Sequence, residues 1–346
     1  DAKKIEIKDY GQIRRNKRGE PMKRYLTRRL LYMLPILLGV NLITFMLFFV
    51  VNSPDDIARM QLGGKHVTAE AVQTWKAEHG YDKPLWFNQK AQGLEQWTDT
   101  LFATKSLTLF QFKFGVSNHG RDIANEIQSR MGPSLALAIP SLLLALLVHI
   151  SFAMAMVFFH KSMFDRIGLI VAIVMMSISS LFFIIAGQYW IGKVMKLVPI
   201  SGYLPGRQAW HFIILPVVLS VVAGSGASVR WYRTILLEEK GKGYVRTAVG
   251  KGLSSFDVYF NHLLRNALIP IITRVVALIP LLFLGSLILE SFFGIPGLGS
   301  YVIDAIGQQD FEIVRAMVFL GTLLYLAGLV LTDIAYVWVD PRIRLK

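Results

Sequence analysis

Long apolar runs alternate with short polar, mostly basic stretches along nearly the whole 346-residue chain. A helix needs about 20 apolar residues to cross the hydrocarbon core of a bilayer. The run LLYMLPILLGVNLITFMLFFVV, residues 30–51, meets that length. It is too long for a signal-peptide core and lacks a small-residue cleavage site, so it reads as a retained anchor. Three more runs cover 134–159, 167–191 and the Gly/Ser-richer 212–229, and two others cover 271–289 and 314–338. The pattern predicts an all-α membrane protein with six transmembrane helices. Residues 52–133, with mixed charges and Trp75, Trp86 and Trp97, are expected to form a few helices packed on the outer face. Pro35, Pro140, Pro216 and Pro280 fall within or near the runs. They either set packing geometry or let helices bend to open a path, because each removes a backbone donor.

Composition agrees with this pattern. The chain is 53% hydrophobic and only 17% charged, with a mean hydropathy of +0.47. A soluble domain is about 25% charged. A net charge of +14 would point to nucleic acid in a soluble protein, but the positions of the charges give another reason for it. Lys23, Arg24, Arg28 and Arg29 precede the first run, and Lys161 and Arg166 lie between the second and third. Arg230, Arg233, Lys240, Lys242, Arg246, Lys251 and Arg265 follow the fourth, and Arg342, Arg344 and Lys346 end the chain. With six alternating spans these segments share one side, and the positive-inside bias makes it cytoplasmic. Both termini are then inside. The opposite-side stretch 293–313 carries Asp304, Asp310 and Glu312 with no Lys or Arg. The absence of cysteine excludes disulfides, thiolate metal sites and cysteine nucleophiles. The histidines show no paired helical spacing, which argues against a metal site. The chain opens at Asp1, and Met22 begins MKRYLTRRLL, so 1–21 is expected to be a basic extension.

The stretch KGKGYVRTAVGKGLSSFDVYFNHLLRNALIP, residues 240–270, mixes Gly and Lys as a phosphate cradle does. A P-loop, however, requires G-x-x-x-x-G-K-[ST], and here Gly250-Lys251 precedes Gly252 with no glycine five positions before Gly250. A dinucleotide fingerprint needs a preceding strand, which two flanking spans do not supply. The segment instead predicts two helices with a break, Gly252 forming a left-handed cap and Ser254 with Asp257 a capping box. Phe256, Phe260, Leu263, Leu264, Ala267 and Leu268 then recur on one face. Such a helix lies along the membrane surface or presents itself to a cytoplasmic partner.

YVRTAVGKGLSSFDVYFNHLLRNALIP resembles the cytoplasmic coupling ("EAA") loop of ABC importer inner-membrane permeases. The match is to the oligopeptide/dipeptide/nickel branch, first-permease type. RYLTRRLLYMLPILLGVNLITFML, YDKPLWFNQ, FGVSNHGRDIANEI, ESFFGIPGLGSYVIDAI and DIAYVWVDPRIRL resemble further segments of that branch in the same order, over about residues 22–345. The chain departs from the branch at Lys242-Gly243, where an acidic residue is usual, and at Val249-Gly250. The resemblance implies a first span at 22–51, a periplasmic segment at 52–133, and a permease core at 134–346 with its coupling loop at 230–270. It also implies a non-catalytic permease in the bacterial inner membrane that imports peptides or related small solutes. Its partners would be a second homologous permease, two cytoplasmic ATPase subunits and an extracytoplasmic binding protein. The chain itself would bind no cofactor, with ATP and Mg used by the ATPases.

On this resemblance Tyr244, Arg246, Thr247, Ala248, Gly252 and Leu253 are the expected ATPase-coupling contacts. Glu290, Gly294, Pro296, Gly297 and Gly299 are the candidate external gate or substrate entrance, although Glu290 reads first as an interfacial structural residue and the glycines first of all specify backbone shape. Asp333 is expected to form a buried hydrogen bond or salt bridge, and His149 and Thr44 to make packing or interhelical contacts. The competing class is a secondary transporter or channel, which expects charge pairs at mid-span or an inverted repeat. A membrane enzyme would need a nucleophile–base constellation at one depth, and none stands out.

Overall fold

The computed structural model describes residues 22–63 and 67–339. The expected 1–21 extension and the Arg342–Lys346 tail lie outside the described residues. Helix α1 (Met22–Phe45) continues as a π-helical end to Val51. The inserted segment holds α2 (Pro54–Gln61), α3 (Ala69–His79) and α4 (Glu95–Thr98), then a π turn over Phe102–Ser106 and a 3-10 turn over Leu107–Gln111. There follow α5 (Ile123–Phe158), α6 (Met163–Ser177), α7 (Ser180–Gly187), α8 (Ala209–Lys240), α9 (Gly243–Gly250) and α10 (Ser255–Asp257). The chain closes with α11 (Arg265–Leu278), α12 (Leu287–Phe293), α13 (Leu298–Gly307) and α14 (Phe311–Val339). Among the described residues the only β pairing is an isolated bridge between Val116 and Asp122.

Among the described residues five helices are long and apolar enough to cross a membrane: Leu26–Val51, Ile123–Phe158, Gly206–Lys240, Ser255–Leu284 and Phe311–Ala335. Two bent pairs, Met163–Ser177 with Ser180–Val194 and Leu287–Phe293 with Leu298–Gly307, raise the number to seven if each counts as one span. The described residues thus support five to seven spans, and two of the expected runs differ in shape or bounds. The 167–191 run is not straight but bends by 91°. Ile178 leaves the helix with ψ 133, and the Ser179 hydroxyl caps the next segment by accepting from the Leu181 amide. The 271–289 span instead begins at Ser255 and ends at Leu284, where Pro280 opens a 3-10 turn and Gly285 takes φ +70. Pro35, Pro140 and Pro216 sit inside continuous helices, so the sharp breaks lie elsewhere.

Packing divides into neighbouring clusters. Phe45 and Phe49 of the first helix join Ile57, Val72, Trp75 and Tyr81, which seats the inserted segment on the end of α1. Leu37, Ile123, Leu298, Ile313 and Ala316 tie α1, α5, α13 and α14 together. Ala153, Val157, Tyr232, Leu236, Leu263 and Ala267 join α5, α8 and the root of the 255–284 helix. Between α6 and α8 the backbones touch through Gly226, where a Cβ would lie 2.5 Å from the Ala172 carbonyl oxygen and 2.7 Å from the Met176 nitrogen. A side chain there has no backbone-compatible position. Gly226→Leu is therefore expected to cost about 3 kcal/mol by overpacking, read as a lower melting midpoint of the purified protein. An unchanged midpoint would contradict this close packing.

Polar side chains stitch the long helices. His149 Nε2 lies 2.9 Å from the Val221 carbonyl, an interhelical contact as expected. Thr44 instead donates to Val40 in its own helix, while Asn41 reaches across to the Ser106 carbonyl at 3.0 Å. Asp333 lies 3.1 Å from Arg29 Nε, joining the last helix to the first in a salt bridge. Asp165 receives both Arg233 Nε at 2.7 Å and Nη2 at 2.8 Å, a bidentate clasp between α6 and α8.

Candidate functional site

The 240–258 loop folds as a short helix standing off the end of α8. Gly241 and Lys242 make the turn, and α9 begins with no side-chain cap at Lys242. At its far end the Gly252 amide donates to Val249 and the Leu253 amide to Ala248, the paired bonds of a Schellman motif. Gly252 takes φ +78, the left-handed conformation that the motif requires. Ser254 then accepts from the Asp257 amide at 3.1 Å and restarts the chain as a helix. This is the break expected from the glycine and serine positions.

Val245 and Ala248, three apart, turn inward and pack on Val258 with Tyr244 and Tyr259 beside them. Tyr244 donates to Glu239 Oε2 at 2.7 Å, and Lys242 Nζ meets the other carboxylate oxygen. Burial, then the hydrogen bond to the Glu239 carboxylate, pushes the Tyr244 phenol well above its ordinary range, so it stays a donor. Lys240 anchors the base by donating to the Val157 carbonyl at 3.1 Å. The helix is thus rooted by its inner face on Val258 and Tyr259, and by Tyr244 and Lys242 on Glu239 of α8.

The six expected contact residues therefore separate. Arg246, Thr247, Gly252 and Leu253 are exposed, Ala248 faces inward, and half-buried Tyr244 spends its hydroxyl on Glu239. Val249, 60% exposed, and Phe256, 63% exposed, stand on the open surface and were not among the expected contacts. The i, i+3 spacing of Val245 and Ala248 carries the signal for Val249, since it fixes the inner face of so short a helix. The apolar face expected over 256–268 is also revised. Leu263 and Ala267 are fully buried, but Phe256 and Phe260 stack on each other in the open with ring centroids 4.3 Å apart. A π-helical stretch over Val258–Leu264 takes in Phe260 and Leu263 and widens the turn, which rotates one face off the other. The same helix runs on to Leu284, so the amphipathic stretch is the root of a long helix and not a separate surface helix.

The second expected set lies near the other end of the bundle. Glu290 is fully buried. Its Oε1 accepts from the Ser286 amide at 3.0 Å, and its Oε2 from the Gly299 and Ser300 amides at 2.6 and 3.1 Å. Ser134 Oγ accepts from Leu298 at 2.7 Å, so the N-terminus of α13 is capped from α5 and α12 together. A Cβ at Gly297 would overlap the Glu290 carboxylate, and one at Gly299 would lie 2.6 Å from the Ser286 carbonyl carbon. Gly294 ends α12 with φ 62, against the loop whose Gly202 amide donates to the Phe293 carbonyl at 2.7 Å. Glu290, Gly297 and Gly299 form an interior knot, while Gly294 and Pro296 reach the surface. Sequence reasoning also missed an open recess of about 390 Å³ between the two bends and α8, lined by Ser180, Leu219, Ser220, Gly224, Ser286 and Leu289.

Comparison with known proteins adds the family to this geometry. The family described as "Binding-protein-dependent transport system inner membrane component" matches residues 148–345, and its N-terminal component matches 22–137. The chain belongs to this family. It is similar to glutathione transport system permease proteins of Salmonella typhi, at 29% identity, and of Escherichia coli K12, at 28%. In both cases the match covers 94% of this chain and 100% of the relative. The family member is accordingly the integral inner-membrane permease component of an ABC importer, a transport subunit and not a catalytic one. A permease of this kind works with a partner permease, ATPases and a binding protein.

Proposed function

We propose that the chain forms one half of the translocation pathway for small peptides, glutathione-like tripeptides included, and receives the ATPase stroke through α9. The observation that carries this reading is an eight-residue helix held by Val245, Ala248 and the Tyr244–Glu239 bond, with Arg246, Thr247 and Val249 left open. A rigid helix on a glycine hinge transmits a push from a neighbour without any chemistry of its own. ATP and Mg then belong to two separate ATPase subunits. Counting Met163–Val194 as one broken span and Leu287–Gly307 as a re-entrant pair gives six spans. The coupling helix, Lys161 and both termini then share the cytoplasmic side, and the inserted segment and the Glu290 knot face outward. The recess between Ser180, Ser220 and Ser286 supports a wall of the pathway whose hydroxyls meet a polar solute at the two bends.

Mild solubilisation and pull-down of this chain should recover a sister permease and two P-loop ATPases, and the reconstituted assembly should take up labelled glutathione only with ATP. Recovery of a functional homo-oligomer without ATPases would overturn the reading. Gly252→Val places a β-branched residue at positive φ, a strain of about 1–3 kcal/mol. Because no atom lies within 4 Å of a Cβ there, the variant is expected to insert and assemble normally. It should hydrolyse ATP with uptake reduced about tenfold, since a strain of that size suffices to shift the break. Wild-type uptake by this variant would refute the hinge.

A further inference from the structure

A pocket of about 260 Å³ opens where the inserted segment meets the start of α14, away from both sites above. Its polar lining includes His79, Lys83, Lys105, Lys113, Gly115 and Glu312. Glu312, the one carboxylate in that wall, is already saturated. It accepts from the Tyr81 hydroxyl at 2.9 Å, from Lys105 Nζ at 2.8 Å and from Arg315 Nη1 at 2.9 Å. Lys83 is paired with Asp99 at 2.7 Å, and Asp99 is not part of the wall. Lys113 is exposed, and its ammonium makes no hydrogen bond or ion pair among the described residues. Three wall cations (Lys83, Lys105 and Lys113) thus face the Glu312 and Asp99 carboxylates, and one positive charge remains in surplus.

The lining is also built and not merely basic. Lys105 is held by Glu312 and lies over the Tyr81 ring at 4.7 Å, so its ammonium is fixed in place. His79 stacks on Trp75, and its Nδ1 lies 2.9 Å from the Trp75 carbonyl, which can only accept. Nδ1 therefore carries the proton, which holds the ring in place as a wall of the pocket. The Gly115 amide makes no hydrogen bond among the described residues, and open space lies where a Cβ would be. The guanidinium of Arg315, the fork that suits phosphate, is spent on Glu312 and on the Lys105 carbonyl at 2.6 Å. What is left is a set of ammonium groups around a space that fits a carboxylate on a short stem.

We propose that this pocket binds a carboxylate group, carried either by a small acidic solute or by an acidic side chain of the binding protein. The binding-protein source rests on the reading above that the inserted segment faces outward. N-acetyl-L-glutamate, titrated by saturation-transfer NMR against the intact transporter in nanodiscs, is the probe. Saturable binding is expected. Lys113→Ala should weaken it about fivefold, the effect of one exposed ion pair, and Lys113→Glu should abolish it. Both variants should assemble normally, because Lys113 touches no partner, and Lys90→Ala should bind as wild type. Docking of the purified binding protein, measured by interferometry on the same samples, separates the sources. Docking weakened by Lys113→Glu and displaced by N-acetyl-L-glutamate assigns the carboxylate to the partner. Docking indifferent to both, with the probe still bound through Lys113, assigns it to a solute. Absence of saturable binding, equal binding by all Lys113 variants, or tighter binding of inorganic phosphate would overturn the proposal.

Discussion

Replacing Arg315 with methionine is expected to destabilise the permease by about 3–5 kcal/mol, the usual cost of breaking a buried ion pair. Arg315 is only 2% exposed, yet it carries a full charge near the start of α14. It donates to Glu312 at 2.9 Å and to the Lys105 carbonyl at 2.6 Å, and its guanidinium lies 4.8 Å from the centroid of the Phe49 ring. One side chain thereby fastens the last long helix to the inserted segment and to the end of the first. Methionine keeps most of the packing but leaves Glu312 with Lys105 and Tyr81 alone. A melting curve of the purified assembly should show the loss. Arg315→Met combined with Glu312→Gln should cost less than the sum of the two single changes, because the two side chains act on each other. A single variant as stable as wild type would show that the cluster contributes nothing.

Glu290→Ala is the second large effect, at about 3–5 kcal/mol, since it strands the buried amides of Ser286, Gly299 and Ser300 at about 1–3 kcal/mol each without full additivity. The loss should be local. Hydrogen exchange at Gly299 and Ser300 is expected to rise at least about tenfold, because 1.4 kcal/mol already corresponds to that factor, while the coupling helix keeps its protection. Glu290→Gln, which retains one acceptor oxygen, should fall between the two. If the residue instead lines a substrate entrance, the alanine variant would change uptake affinity and leave exchange unaltered. That result would contradict the knot.

Much of this was readable from the chain. The long apolar runs placed the membrane-crossing helices, and Gly252 and Ser254 placed the helix break, because each follows from local chemistry. The bend after Ile178 was hidden because IVMMSISSLFFI is apolar throughout, and only its serines mark the stop. The rotated face over 256–268 was missed because a π turn changes the period without changing composition. Glu290 looked like a lone acid at a helix end, since its partners are backbone amides nine and ten residues on. Arg315 drew no attention within an apolar run, because its partners lie across the fold at Lys105 and Phe49. Local signals were legible, and contacts made by tertiary folding were not.

The central claim is that α9 meets an ATPase with its open face. Photo-crosslinking from a residue introduced at Val249, compared with one at Val245, tests it most directly in the assembled transporter. Val249 is 60% exposed and Val245 only 6%. An adduct with a P-loop ATPase is expected from position 249 and none from 245. No ATPase adduct from 249, or equal adducts from both positions, would contradict it.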